Sequence, residues 1–271
     1  MFENFYIISD SKNTLFGIGD HLRVLSFLPN LKYKKLVWVS DDKLISISKN
    51  INFIDSFKIL NNENVIHGGN DFSVNLTRKD YNKKNSLFLE EFVLKSGEVK
   101  IETLNLLDNL KSYFKISNYK IFGNKKEKLK EKYVFINWHT PVEWEIKRYD
   151  YKKLQEIEKF IQNEFHLHVV WQNENDNLQI FFEKIRDSIL VISVVGLGTH
   201  IAMLYDKKII MLSGPTFFQE MNYYEKGIVI RPDSPCDFRP CNLKNGVNNC
   251  GCMGNISIKK IKDNIKKFLR C

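Results

Sequence analysis

Ile189-Leu-Val-Ile-Ser-Val-Val195, running into Gly196-Leu-Gly-Thr-His200, is the stretch on which the fold turns. Apart from Ser193 the first segment is an unbroken aliphatic run, the pattern of a strand buried on both faces. A glycine-rich turn follows, then a short apolar helix at residues 201–205 and a second strand at 208–212. The turn Ser213-Gly-Pro-Thr216 closes the unit. A strand that breaks into glycine and then opens a helix aims free backbone N–H groups at one point, which suits a phosphate. The stretch therefore reads as half of a nucleotide-binding site.

The same alternation extends outward in both directions. Upstream, Tyr133-Val-Phe-Ile-Asn137 reads as a strand, and 152–163 as a helix with Leu154, Ile157, Phe160 and Ile161 on one face. His168-Val-Val-Trp171 is the next strand and 178–188 the next helix. Downstream, Ile258, Ile261, Ile265 and Phe268 give a helical period over 256–269. Nearer the N-terminus, strand patterns occur at 5–8, 35–39, 54–59 and 72–76. Helical spacing runs through Leu22, Leu25 and Leu28 to Pro29, and again over 101–114. Strands alternating with helices predict parallel α/β sheets. The charged run at 123–132 suits a linker. The prediction is two Rossmann-like α/β domains, residues 1–128 and 129–271, facing a cleft.

With 271 residues the chain is long enough for two such cores. Its 43% hydrophobic and 27% charged residues are ordinary for a globular protein. No apolar run approaches the ~18 residues of a membrane span. The N-terminus lacks a basic region and a cleavage site, so the expected location is cytoplasmic. The net charge of +9 fits a lysine-rich surface, or attraction to the anionic inner face of a membrane as a peripheral contact. No nucleic-acid-binding motif is present, and no nucleic acid partner is expected.

Cys236, Cys241, Cys250, Cys252 and Cys271 all lie near the C-terminus. An odd count argues against a disulfide framework. The spacing of Cys236, Cys241, Cys250 and Cys252 carries a weak metal-site signal, without the paired C-x2-C pattern of zinc sites. Reduced structural thiols are the expectation.

Several segments, in order, resemble one family. Thr199-His200 before an apolar helix and strand, then Gly214-Pro-Thr216, then Cys250, Cys252-Met253 and Ile256, resemble the C-terminal domain of family-9 glycosyltransferases. These are the ADP-heptose:lipopolysaccharide heptosyltransferases and their relatives. Gly17-Ile-Gly-Asp20-His-Leu with Leu28-Pro29 resembles the family's N-terminal Gly-Asp turn. Lys147-Arg-Tyr-Asp150 before Leu154 resembles its Lys-x-Trp-Pro element. The resemblance implies the two-domain GT-B arrangement. It also implies an inverting transfer from a nucleotide sugar, ADP-heptose by default, to a hydroxyl of a lipopolysaccharide core or other surface glycan. No cofactor is required. The chain departs from the family where Val194-Val195 stands in place of an acidic residue at the start of the glycine turn.

Candidate residues follow. Asp20 projects from a tight turn and, by resemblance, is the base that takes the acceptor proton; a carboxylate there also suits a helix cap. His21 beside it either orients Asp20 or, as expected here, faces solvent. Lys147, by resemblance, stabilises the departing diphosphate; an exposed lysine is the plain alternative. Thr140 adds a hydroxyl for phosphate. Glu174, two residues past a strand end, suits ribose hydroxyls, or is a loop glutamate in a polar stretch. Gly196, Gly198, Thr199 and His200 form the diphosphate turn, with His200 otherwise a packing residue. Thr216 is placed to touch the donor. Two other functions fit the same architecture. One is a nucleotide-sugar epimerase using Glu143 and Glu145. The other is a non-catalytic, degenerate transferase-like binding protein, which the Val195 departure favours.

Overall fold

The computed structural model describes residues 1–10, 18–41, 44, 47–48, 50–60, 72–76, 86–88, 106–117, 132–216, 224–234 and 251–270. The chain divides into two compact units, Met1–Lys125 and Lys126–Cys271. The run at 123–131 lies outside the described residues.

The first unit carries β1 (Phe2–Ser9), α1 (Ile18–Phe27), β2 (Tyr33–Ser40), β3 (Ser56–Ile59), β4 (Phe72–Asn75), β5 (Ser86–Phe88) and α2 (Leu106–Tyr113). The strands pair in parallel in the order β3-β2-β1-β4-β5. Ile7 stands between Trp38 and Val74 at the centre of the sheet. The central strands are buried, so their sequences are apolar runs rather than alternations. Trp38 places its indole N–H on Ser9 Oγ at 3.0 Å, satisfying the one polar atom of a fully buried ring. Phe5 and Phe72 pack with Phe114, just past α2. α1 is buried on nearly every side, and Pro29 enters the 3-10 turn that ends it.

The second unit carries β6 (Tyr133–Asn137), α3 (Tyr151–Phe165), β7 (His168–Trp171), α4 (Leu178–Arg186), β8 (Leu190–Val194), α5 (Leu197–Leu204), β9 (Lys208–Leu212), β10 (Gly227–Ile230) and α6 (Ile258–Leu269). The sheet is again parallel, in the order β7-β6-β8-β9-β10. This is the 2-1-3-4-5 doubly wound order, whereas the first unit runs 3-2-1-4-5. Leu154, Ile157 and Ile161 of α3 and Ile261 and Ile265 of α6 cover one face, against Val134, Ile136, Ile192 and Ile210. Phe181, Phe182 and Tyr205 fill the other, with Phe135 against Phe181.

Helix starts follow capping chemistry. Asp150 accepts from the amides of Lys152 and Lys153 (2.8 and 3.2 Å) and opens α3. Asn177 accepts from Ile180 (2.9 Å) and opens α4. Ser257 caps α6, so that helix begins two residues later than its apolar period suggests. The expected helix at 201–205 begins at Leu197 instead. Gly198, Thr199 and His200 are therefore helical, not part of a turn. Gly196 is the N-cap, and the Thr199 hydroxyl closes the first turn onto the Gly196 carbonyl at 2.5 Å. Two short strands, β5 and β10, carry too little pattern to be read from sequence. Among the described residues no helix is long and apolar enough to cross a membrane.

Candidate functional site

In a 2-1-3-4-5 sheet the first and third strands lie side by side, and their following connections leave over opposite faces. The crevice this opens at the carboxyl edge is where such sheets bind ligands. Here the strands are β6 and β8. Asn137 ends β6 and donates from Nδ2 to Ser193 Oγ of β8 at 2.7 Å, bridging the crevice floor. Asn137 is 6% exposed, and its Oδ1 accepts no hydrogen bond. A buried acceptor without a donor costs ~1–3 kcal/mol, so it marks a place where a donor is wanted.

The start of α5 faces the same edge. The first turn of a helix leaves its amides without intrahelical acceptors, here those of Leu197 and Gly198. The Gly196 amide lies 3.4 Å from Thr199 Oγ1. A Cβ at Gly196 would meet nothing within 4 Å, so the space beside the N-cap is open. A Cβ at Gly198 would lie 2.2 Å from Asn137 Nδ2 and 3.2 Å from Ser193 Oγ. The two glycines thus do different work: Gly196 leaves room beside the N-cap, and Gly198 lets the helix close onto the strand ends. Thr199 and His200 are both buried.

The connection from β6 to α3 holds Thr140 and Lys147. Thr140 is buried. Its hydroxyl donates to the Trp144 carbonyl at 3.1 Å and accepts from Arg148 Nε at 3.4 Å, while Arg148 Nη2 reaches the Thr140 carbonyl at 3.1 Å. These bonds shape the 3-10 turn Val142–Lys147. Lys147 ends that turn with its ammonium 4.1 Å from the Trp144 ring centroid. Glu145 pairs with Arg148 at 3.3 Å, and the side chain of Glu143 lies outside the described residues. Tyr149 is buried and donates to the Ile256 carbonyl at 2.9 Å. Burial, and then the charges of Asp150 and Glu156, push its phenol well above the ordinary range.

Glu174 lies in the loop after β7, its side chain 64% exposed, with one oxygen 3.4 Å from His139 Nδ1. The His139 amide donates to Gln172 Oε1 (3.1 Å), and Trp138 Nε1 donates to the Gln172 carbonyl (3.3 Å). The ends of β6 and β7 are therefore tied. Thr216 follows β9; its carbonyl accepts from Ser213 Oγ at 2.9 Å. Gly214 is pressed against Met253 and Cys252, where a Cβ would meet Sδ at 2.4 Å. Cys252 is buried. Cys236, Cys241 and Cys250 lie outside the described residues, and among the described residues no three metal-ligating side chains cluster.

Thr140, Lys147, Glu174, Gly196, Gly198, Thr199, His200 and Thr216 follow the ends of β6, β7, β8 and β9. Those strands are parallel, so all eight belong to one edge of one sheet. Asp20 belongs to the other unit, in the first turn of α1 after β1. Arg23 Nη1 donates to Asp20 Oδ1 at 3.3 Å; the carboxylate is one-third exposed while the guanidinium is buried. His21 is 1% exposed, not solvent-facing as its sequence position suggests. The reason is that α1 is enclosed on nearly all sides, so the polar positions of the helix are buried with the apolar ones.

No family model matches the sequence, and no curated protein matches it. Solved structures do. A family-9 glycosyltransferase from Veillonella parvula superposes with a TM-score of 0.66 at 13% identity, over 99% of this chain and 97% of that one. The chain has the fold of the family-9 glycosyltransferases. E. coli ADP-heptose LPS heptosyltransferase II shares this family-9 fold at TM-score 0.66 and 10% identity, over 99% of both chains. E. coli heptosyltransferase WaaC, solved with ADP and also with ADP-2-deoxy-2-fluoro heptose, matches at 0.62 and 11% identity in the ADP form, over 98% and 99%. Within the family-9 fold, two features escape sequence reading. One is Asn137, whose only signal is a polar residue closing an apolar strand. The other is the group of rings formed by Trp138, Tyr151 and Trp171, which are far apart in sequence.

Proposed function

We propose that the protein is an inverting glycosyltransferase of the GT-B type. It moves a sugar, heptose by default, from a nucleotide sugar to a hydroxyl of a lipopolysaccharide core or another surface glycan. The observation that carries this reading is the gathering of the donor-side residues on the carboxyl edge of the second sheet, at its switch point. The open N-terminus of α5 and the orphaned Asn137 acceptor both lie there. In the proposed reaction Asp20 takes the proton of the acceptor hydroxyl, whose oxygen bonds to the anomeric carbon as the carbon–diphosphate bond breaks. Arg23 positions Asp20. The α5 amides and Lys147, swung from Trp144, hold the charge that grows on the departing diphosphate. No resident metal is required, because amides and one ammonium supply the positive potential. Glu174 takes ribose hydroxyls. The acceptor binds the first unit, and the protein works in the cytoplasm against the inner membrane face, drawn by its net charge of +9.

Thermal-shift titration of the purified protein tests the donor site. ADP-heptose, other nucleotide sugars and free ADP, GDP and UDP are the ligands. A compound that binds only the folded state raises the melting temperature, and a shift selective for one nucleotide is expected. Asp20→Asn should keep that shift and lose sugar transfer. Absence of any shift with all of these compounds sinks the reading.

A further inference from the structure

A pocket of about 450 Å³ opens beyond the carboxyl end of β7, the edge strand of the second sheet. Its size falls in the ~300–1,000 Å³ range of small-molecule sites. Three rings line it: Trp138 and Tyr151 have centroids 5.3 Å apart, as do Tyr151 and Trp171. Gln172, Asn173, Glu174 and Lys184 line it as well. Tyr151 is 48% exposed, an unusual state for the middle ring of three.

The chain ties the pocket to the switch point, since Trp138, which lines it, directly follows Asn137. Asn137 lies at the crevice floor, and the next two residues, Trp138 and His139, run toward Gln172 and Glu174 through the bonds already described. Lys184 is held by both Asp176 oxygens (2.8 and 2.7 Å) and by the Trp171 carbonyl (3.4 Å). Its charge is thus paired, and the pocket offers inclined ring faces and amide edges rather than an anion trap. In doubly wound sheets that bind nucleotides, an acid at a neighbouring strand end takes the ribose; here Glu174 follows β7, which pairs with β6, the strand that leads to Lys147, and does not border β8. With Glu174 in that role, the base falls one step further out, where the rings stand.

We infer that Trp138, Tyr151 and Trp171 form the nucleobase pocket of the donor, stacking a neutral heterocycle whose edge the Gln172 and Asn173 amides read. The inference rests on the proposed donor site and adds where the base lies and what selects it. Aromatic rings stack any base, and the amides then discriminate between them.

Calorimetric titration of the full-length protein with ADP, GDP, UDP and inorganic pyrophosphate provides the test. Wild type is compared with Tyr151→Leu, Trp171→Leu and Tyr151→Phe, each checked for folding by circular dichroism. The leucine variants should bind the preferred nucleoside diphosphate more weakly by roughly five- to a hundredfold, the range of one base–aromatic stack. Pyrophosphate affinity should be unchanged, and Tyr151→Phe should bind as wild type does. Folded leucine variants with wild-type nucleotide affinity overturn the pocket while leaving the donor site standing. Equal loss of nucleotide and pyrophosphate binding also overturns it, since the rings then only support the loop. A wild-type protein that binds no nucleotide removes the donor site, and the pocket falls with it.

Discussion

A methyl group at Gly198 has nowhere to go. It would lie 2.2 Å from Asn137 Nδ2, and Asn137 is itself held by Ser193 on the neighbouring strand. Gly198→Ala must therefore push α5 off the strand ends or break that bridge. Overpacking of this kind costs ~1–3 kcal/mol. At Gly196 the same methyl meets nothing within 4 Å. The backbone there is extended, a conformation open to alanine, with φ at 168°. Urea unfolding should show Gly198→Ala losing about 1–3 kcal/mol and Gly196→Ala within ~0.5 kcal/mol of wild type. Donor affinity should fall in Gly198→Ala, because α5, whose first amides are proposed to hold the diphosphate, is pushed off the strand ends. Equal stability loss in the two variants would refute the division of labour. The sequence shows two glycines in one turn and treats them alike. What separates them is the approach of Asn137, which is 61 positions away from Gly198 by numbering and adjacent only once the sheet is formed.

Elements were legible where a long apolar period or a continuous apolar run carried them. Tyr133–Asn137, His168–Trp171 and Lys208–Leu212 have the bounds that their residues suggest. The start of α5 was not legible, because glycines look like a turn until the Thr199 hydroxyl and the Asn137 contact make them a helix. The order of the strands was not legible either, since periodicity says nothing of which strand pairs with which. One link between elements of the second unit is a single hydroxyl. Tyr149, just before α3, donates to the carbonyl of Ile256, just before α6, and both residues are buried. Lys153 of α3 adds a second tie, to the Gly254 carbonyl at 2.6 Å. Tyr149→Phe keeps the ring and leaves the Ile256 carbonyl without its donor. A loss of about 1–3 kcal/mol is expected in urea unfolding, with nucleotide binding retained. A variant as stable as wild type would mean that water replaces the hydroxyl at no cost.

Each unit encloses its own sheet, and each also encloses phenols that resist ionisation. In the first unit Tyr33 is pushed up to about 12 by burial and then by the nearby Asp55 carboxylate. In the second, burial raises Tyr149 and Tyr224 further still, with Asp150 and Glu156 adding to the first and Asp206 to the second. Tyr224 donates to the Lys207 carbonyl at 2.8 Å, a bond that a phenolate cannot make. Folding therefore favours the protonated phenols. In the unfolded chain these groups release their protons near pH 10, so above that pH the native state holds more protons than the unfolded state. Stability then falls as pH rises. The contribution of Tyr33 is fully present below about pH 10 and is lost as pH climbs through about 12; Tyr149 and Tyr224 extend the loss beyond that. Spectrophotometric titration should show a late group of phenols, Tyr33, Tyr149 and Tyr224 among them, that ionises only as the chain unfolds. Only phenolates contribute to the absorbance read, so the late spectral step isolates the tyrosines. Tyr149→Phe and Tyr224→Phe should each remove part of that step and flatten the decline of urea midpoints above pH 10. A single transition near pH 10 with every tyrosine accounted for would show that the three phenols are open to water in solution.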